Sequence, residues 1–581
     1  MTTAPPPRPP ADPRLTLPRP AGPHPHLAPQ PVARPAPRPS AFQRRWPGAT
    51  GAARPVVLGA LAVAAGVAAS VVPLDRPGLG WLVATVAGAA ALGTAVVRTS
   101  RQPPAAGPQV AEGQAPAAAG SPQVPERQAP AAAGTAGSPQ VGVPDKSSTT
   151  AGAGAAARPG ATGASGRAAQ LAWTVATVAL VGVGTVRAAG WLFVLCLLAA
   201  VGTATLAVAG GRTPLGLLAA GMLPPIATLR ALPWAARGLP RHRPGGPSVG
   251  RILVSLGVTA VLLLLFGLLF SSADAVFAGL VADTLPDISM VGVFGWVFRL
   301  LLVGAALLGG AYLLTAPPDL ELRAGPARVV RRLEWVLPLA LLDALFAAFV
   351  LVQLTVLFGG SGHVLGTAGL TYAEYARGGF WQLLAVSALT LLVIAGALRW
   401  APRHTRADRT LIRLLIGGLT VLSLVVVASA LYRMLVYTDA YGVTRLRLVV
   451  ATVELWLGLV FVLVGVAAVR LRGTWLPRLV LGAGVVALLG LAVVNPDRLI
   501  ADRNVDRWQR IDRLDVEYLS RLSADAVPAL NRLPEPMRSC AVREIAGQLE
   551  ADGWRAANVG RAQARAVLGA DRVGAATVPC P

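Results

Sequence analysis

Eleven apolar runs of 17 to 24 residues, separated by polar gaps rich in arginine, dominate this chain. They cover residues 56–72, 81–97, 168–186, 191–209, 252–270, 291–314, 335–358, 380–398, 411–431, 448–469 and 476–494. A helix rises 1.5 Å per residue, so about 20 apolar residues cross the ~30 Å of hydrocarbon in a bilayer. The pattern predicts an all-α polytopic membrane protein: a helical bundle of about eleven transmembrane helices with a small α-helical extracytoplasmic domain over 495–581. The first four runs read as two hairpins, 55–98 and 168–209, and the last seven as a membrane core over 252–494.

Residues 213–229 are also apolar, but they contain Pro224 and Pro225. Letting them cross would carry Arg230, Arg237, Arg241, Arg243 and Arg251 to the opposite side. The segment 210–251 is therefore read as basic and cytoplasmic, with an interfacial or re-entrant helix.

Two polar stretches lack the apolar residues needed to offset the entropy of folding. Residues 1–54 form a Pro- and Arg-rich tail with eight arginines against the single acid Asp12, which predicts disorder and cytoplasmic retention. Such a tail can also adhere to anionic lipid, at roughly 1 kcal/mol per arginine close to the surface. Residues 99–167 contain a near repeat, PQVAEGQAPAAAGS then PQVPERQAPAAAGT, and read as a flexible cytoplasmic linker.

Composition agrees with the pattern, since 54% of residues are apolar and only 14% charged. The net charge of +24 is concentrated in the tail and alternate loops, so it sets membrane orientation and does not point to nucleic acid. With the N-terminus inside, cytoplasmic segments hold 32 basic residues and the opposite loops 6. An odd number of spans then leaves the C-terminus outside. Lys146 is the only lysine, and the arginine bias fits a GC-rich bacterial genome. The expected location is a bacterial plasma membrane, and the bilayer is the one partner the sequence implies.

In the last segment, Met537, Cys540, Ala541, Ile545 and Leu549 share a face of a predicted helix over 536–550. Cys540 and Cys580 lie on the side expected to be oxidising, where a disulfide between them would contribute about 4 kcal/mol. A buried thiol and an idle terminal one is the other reading. Residues 495–510 alternate Asp and Arg at helical spacing, which predicts a solvated, ion-paired helix leaving the last span.

A charge in hydrocarbon costs at least ~2.5 kcal/mol, so ionisable residues inside the runs are the functional leads. Asp343 lies near the middle of the seventh run, with Gln353 further along it. Arg299 in the sixth and Glu454 in the tenth fall at similar depths and could pair. Either these groups fix helix packing or they line a proton or substrate pathway.

The loop before the eighth run reads GLTYAEYARGGFWQLL, with Tyr372, Glu374, Tyr375 and Arg377 as a candidate outer-loop motif. Together with residues 334–360, 429–448, SSADAVFAGL from Ser271 and NPDRLIADRNV from Asn495, it resembles bacterial multi-pass proteins of domain-of-unknown-function families 4153 and 4173, common in actinobacteria. The resemblance covers roughly residues 250–525. It implies a membrane fold and brings no catalytic residues with it.

Catalytic motifs are absent from the sequence. No lysine follows a Gly-rich loop, the five histidines lack metal-ligand spacing, and GGSGH at Gly359 misses the nucleophile-elbow pattern. Neither a metal nor another cofactor is expected, and no catalytic residue is named. Three classes remain. A transporter would use Asp343, Arg299 and Glu454, and a non-catalytic envelope or signalling scaffold would use the tail and the C-terminal domain. A membrane-embedded transferase, the weakest of the three, would use Glu374 and Arg377.

Overall fold

The computed structural model describes residues 40–99, 159–211, 213–239, 249–274, 277, 290–320, 330–358 and 380–570. Most of the tail, the linker over 100–158, the outer-loop motif with Tyr372, Glu374, Tyr375 and Arg377, and Cys580 lie outside the described residues. Residues 1–44 form a unit of their own. Its described part opens the short helix α1 (Ala41–Arg45), where Ser40 and Gln43 cap each other reciprocally. Everything below belongs to the second unit, residues 45–581.

Each predicted span falls on a helix. In chain order, with α6 covering the segment expected to be interfacial, the helices are α2 (Pro55–Val71), α3 (Leu79–Thr99), α4 (Pro159–Val186), α5 (Gly190–Ala209), α6 (Pro214–Gly238), α7 (Val249–Ala273), α8 (Met290–Thr315), α9 (Arg332–Phe358), α10 (Phe380–Trp400), α11 (Arg406–Tyr441), α12 (Arg445–Arg470) and α13 (Leu476–Val494). No strand occurs among the described residues. Ten of these helices, α3–α6 and α8–α13, are long and apolar enough to cross a membrane, and α2 is apolar but shorter at 17 residues. The chain is an all-α polytopic membrane protein.

Side-chain size is distributed as a lipid solvent requires. Alanines 64, 65, 68 and 69 of α2, 227 and 231 of α6, and 311 of α8 are buried, while Leu301, Leu345, Leu392 and Leu414 are exposed. Small residues let the backbones approach and gain dispersion contacts, whereas large apolar ones left outward would aggregate in water.

The helices run between two faces, called near (where α2 begins) and far (where it ends). The α2–α3 turn closes tightly at the far face, where Trp81 donates its indole N–H to Pro73 O at 2.8 Å. α8 starts at the far face, with Trp296 on Ser70 and Arg299 on Ala69 O, and ends at the near face, where Tyr312 packs on Trp46 and Trp234. One apolar core joins α2, α3, α6 and α8. A second joins α9–α12, and a third joins α4, α5 and α13.

α6 does not follow the alternation. Gly216 in its first turn abuts Leu320 O, just beyond the end of α8, and Gly238 in its last turn abuts Ala53 O, just before α2. Trp46, seven residues before Ala53, donates to Ala316 O at 2.8 Å. Both ends of α6 therefore meet the near end of the same bundle, while Thr228 in its middle reaches Ala305 O at 3.0 Å. Pro224, Pro225 and Pro233 lie inside the helix and each removes a backbone donor from it.

At the far end of α13 the chain turns through Asn495, which has a left-handed backbone, into α14 (Pro496–Ile511). Short helices follow: α15 (Val516–Ser520), α16 (Val527–Leu530), α17 (Met537–Gly547) and α18 (Val559–Ala570). Ile500, Val505, Leu519, Leu530, Val542 and Ile545 form their core. α17 ends three residues before the sequence expectation of 550. Cys540, Ala541 and Ile545 are buried on its inner face, as the spacing predicted, and Leu549 joins the core from beyond the helix. α14 departs from the solvated helix expected, because Asp497, Ile500, Ala501 and Val505 are buried.

Candidate functional site

Polar groups inside the bundle lie along α11, at its contacts with α9 on one side and with α12 on another. α9 and α11 run in the same direction and meet through polar contacts at three levels. At the near face Arg332 pairs with Asp408 at 2.7 Å, and Asp408 and Thr405 form the capping box that starts α11. Further in, Asp343 lies against Gly418, where a Cβ would stand 3.7 Å from Asp343 Oδ2, so the glycine leaves room for the carboxyl. Asp343 Oδ1 is buried without a hydrogen-bond partner. Towards the far face, Gln353 Oε1 accepts from Ser429 Oγ at 3.4 Å and from the Arg433 guanidinium. Asp408 and Ser429 are about 30 Å apart along α11, the thickness of hydrocarbon, which puts Asp343 near the middle.

α12 adds a second buried acid. It runs antiparallel to α11, with Val469 accepting from Arg413 at 3.1 Å, Gly465 beside Thr420 and Gly458 beside Val427. That register sets Glu454 at the level of Leu431 on the α12 side of α11, whereas Ser429 and Arg433 face Gln353 of α9. Glu454 is 2% exposed and neither carboxyl oxygen has a hydrogen-bond partner. The hydroxyl of Ser423, also buried on α11, is unpartnered.

Of the residues expected from the sequence, the structure places Asp343 and Gln353 together at the α9–α11 interface, sets Glu454 apart at the α11–α12 interface and leaves Arg299 out of both. The Arg299–Glu454 pair does not form. Arg299 donates to Ala69 O at 3.0 Å, satisfying a carbonyl that the last turn of α2 leaves open. Equal depth was not enough, because α8 packs on α2, α3 and α6, whereas α12 packs on α11 and α13. Arg433 and Ser429 were missed. Arg433 lies two residues beyond the ninth apolar run, 411–431, and so reads as a loop charge, but α11 continues to Tyr441.

A cavity of about 440 Å³ between α4, α5, α12 and α13 is lined by groups such as Trp173, Thr203, Thr452 and Trp456 and carries no ionisable side chain. Cys196 is buried in the same part of the bundle as a free thiol. No group of three or more metal-ligating side chains occurs among the described residues.

A second polar centre joins the bundle to the C-terminal domain at the far face. Asp497 is fully buried and takes both nitrogens of the Arg445 fork, at 3.0 and 2.6 Å, with the Trp191 indole N–H at 3.1 Å and Ser523 N–H at 2.8 Å. Burial alone would raise its pKa, but the hydrogen bond and charge of Arg445, with Ser523, hold it below the usual carboxylate range. Asp525 accepts from the backbone N–H groups of Ala188 and Ala189, at 2.7 and 3.1 Å, and so caps α5 from outside. Burial pushes Asp525 upward, and these donors only partly offset it.

Other side chains of the domain close other helix ends. Asn558 donates to Gly184 O and Arg187 O at the end of α4, both at 2.8 Å, and Arg507 donates to Asp439 O and Ala440 O at the end of α11. Arg187 in turn closes α13 through Ala492 O and Val493 O. These are the carbonyls and N–H groups that every helix leaves unsatisfied at its ends.

A family profile described as "Domain of unknown function (DUF4153)" matches residues 175–533. It starts within α4, so α5 and α6 belong to the matched region, which the resemblance over 250–525 had left out. Asp343, Gln353, Ser429, Arg433, Glu454, Arg445, Asp497 and Asp525 all lie inside it. No curated protein and no solved structure matches the chain. With more than half of its 581 residues matched, the chain belongs to the family described as domain of unknown function DUF4153.

Proposed function

We propose that this protein is transporter-like, with a polar pathway between α9 and α11. The observation that carries the reading is Asp343, a carboxyl at mid-bundle whose Oδ1 is buried and unpartnered against Gly418. A group that only fixed packing would reach a donor, since an unsatisfied carboxyl is costly in hydrocarbon and rarely kept without a use. Arg332–Asp408 at one end and Gln353–Arg433 at the other extend the polar line to both faces.

The near face is cytoplasmic in this reading, and the far face lies outside a bacterial plasma membrane. The uneven distribution of basic residues between alternate loops supports that orientation, and the contacts of α6 at one face support an odd number of crossings. The basic tail then meets anionic lipid, and the C-terminal domain lies where a Cys540–Cys580 disulfide can form. Capping of three membrane helices by the C-terminal domain favours the alternative of an envelope or signalling scaffold, in which that domain carries the function.

The test is solid-supported-membrane electrophysiology on proteoliposomes, stepping a panel of inorganic ions, amino acids and organic acids. At least one solute should give a current in the wild type that Asp343→Asn abolishes while the unfolding midpoint stays within a few degrees. No current from any solute, or a current unchanged in Asp343→Asn, sinks the pathway. A variant that loses only stability assigns Asp343 to packing.

A further inference from the structure

We infer that the cavity between α4, α5, α12 and α13 binds one acyl chain of an anionic glycerophospholipid, whose head group lies at the near face beside Arg478. The site shares no residue with the α9–α11 pathway and does not depend on it. The cavity holds about 440 Å³, within the range of sites for small organic ligands. Its room comes from small residues in its lining, Gly202 of α5, Gly221 of α6 and Gly484 of α13 among them. The lining runs from Ala199 to Leu206 along α5 and from Leu481 to Leu488 along α13, about 10 Å of each axis and all within the apolar spans.

The chemistry of the lining suits an apolar chain. Its hydroxyls are spent within the protein: Thr203 bonds with Thr177 and Ala200 O, Thr205 donates to Gly202 O, and Thr452 donates to Leu448 O. The Trp456 indole N–H is given to Val480 O. The Trp173 indole N–H is the one lining side-chain donor without a partner among the described residues, too little to hold a polar solute. An apolar cavity does not fill with water, and an empty one forfeits the dispersion contacts of its walls. In a bilayer the group at hand to fill it is a lipid chain.

Shape and charge fix which end of the lipid goes where. Of the residues of α13 only Leu491 and Ala492, at its far end, are buried, so the helix is held tightly there and stands off from α5 towards the near face. Arg478 spans that gap, its guanidinium donating to Gly211 O just past the end of α5 at 2.9 and 2.7 Å. Leu481, Val485 and Leu488 of the lining follow Arg478 at three, seven and ten residues, so the arginine shares their face of α13, one turn closer to the near end. Residues 470–478, which join α12 to α13, carry Arg470, Arg472 and Arg478 and no acid. A chain seated in the cavity sets its head group at this turn, where the charges favour a net-negative head over a zwitterionic one.

The test is native mass spectrometry of the full chain, delipidated and titrated with phosphatidylglycerol or with phosphatidylcholine of the same acyl chains. Wild type should bind one phosphatidylglycerol in preference to phosphatidylcholine. A Cβ at Gly202 meets nothing within 4 Å, so Gly202→Leu occupies open space beside the lining without pushing on it. That variant should weaken phosphatidylglycerol binding about tenfold, the equivalent of about two buried methylene groups. Gly221→Leu, at a second open lining position, takes its place if the first variant folds poorly. Gly482→Leu, equally open but outside the lining of the same helix pair, should bind as the wild type does. Arg478→Gln should lose the preference between the two lipids. Wild-type affinity in both Gly202→Leu and Gly221→Leu overturns the inference, as does a wild type, or an Arg478→Gln variant with full preference, that contradicts the head-group assignment. A polyprenyl phosphate that displaces phosphatidylglycerol at lower concentration gives the cavity to an isoprenoid and overturns it too.

Discussion

Asp497 and Asp525 are bridged by Ser523, whose backbone N–H donates to one carboxylate at 2.8 Å and whose hydroxyl donates to the other at 3.3 Å. Both acids are almost fully buried, yet their partners differ in kind: Asp497 has the charge of Arg445, while Asp525 has neutral backbone donors and one oxygen, Oδ1, without any. Neutralising them should therefore have unlike effects. Asp497→Asn leaves Arg445 without its counter-ion at a half-buried site and should destabilise the folded chain by about 3–5 kcal/mol. Asp525→Asn keeps an oxygen for Ala188 and Ala189 and removes a poorly compensated charge, so its effect should stay within about 1 kcal/mol. Thermal unfolding followed by tryptophan fluorescence compares them, and equal losses would mean that the two carboxylates carry the same load.

The same pair sets opposite pH dependences. Asp497 has a folded-state pKa below its ordinary value, so its contribution is present above the ordinary carboxylate value and is lost only as pH falls through the lower folded one. The gap in unfolding midpoint between wild type and Asp497→Asn should persist through mild acid and close below about pH 4. Asp525 is raised, so its ionisation costs the fold at neutral pH, and that cost fades as pH falls through the raised value. Asp525→Asn should then gain on the wild type as pH rises. Midpoints measured across a pH series check both signs, and a gap of either kind that does not vary with pH would contradict the corresponding assignment.

Gly560, the second residue of α18, tests how closely the C-terminal domain is fitted to the bundle. A Cβ there would fall on Asp525 Oδ1 and come within 3.2 Å of Ala188 N, so neither backbone nor carboxyl has space to yield. Gly560→Ala should cost about 1–3 kcal/mol, as overpacking does, and should expose the domain to limited proteolysis. Gly569→Ala, with nothing within 4 Å of its Cβ, is the matched control on the same helix. Equal proteolysis of the two variants would show that the junction is looser than its contacts imply.

The helices were legible in the sequence because lipid demands a long apolar run for each crossing, and every run from 56–72 to 476–494 lies on a helix. Partners were not legible. Arg299 and Glu454 share a depth, but depth along a helix says nothing of which helices touch, and Arg299 closes the end of α2 instead. Asp497 was read as one charge in an alternating surface series, although its position right after an apolar run, facing the loop that carries Arg445 and Arg447, offered a signal. Asp525 gave none, since its partners are the backbone N–H groups of Ala188 and Ala189, more than three hundred residues away. Hydropathy also counted α6 among the crossing helices, because length and composition cannot distinguish a helix that returns to the face it left.

α6 supplies the remaining prediction. Its outward residues Leu215, Leu218, Met222, Leu229 and Leu232 are exposed at three- to seven-residue steps, a stripe suited to acyl chains, while Arg230 stacks over Trp46 and donates to its carbonyl at the near face. If α6 crossed, its two flanks would lie on opposite sides of the membrane. Its contacts with Leu320 at one end and Ala53 at the other require the same side. Arg212→Cys and Arg241→Cys, made separately and read by peptide mapping after treatment with a membrane-impermeant maleimide, should both be labelled from the side opposite the C-terminal domain. Labelling from opposite sides would make α6 a true span, reverse the orientation of every later helix relative to the first four, and remove the odd count of crossings on which an outward C-terminal domain depends.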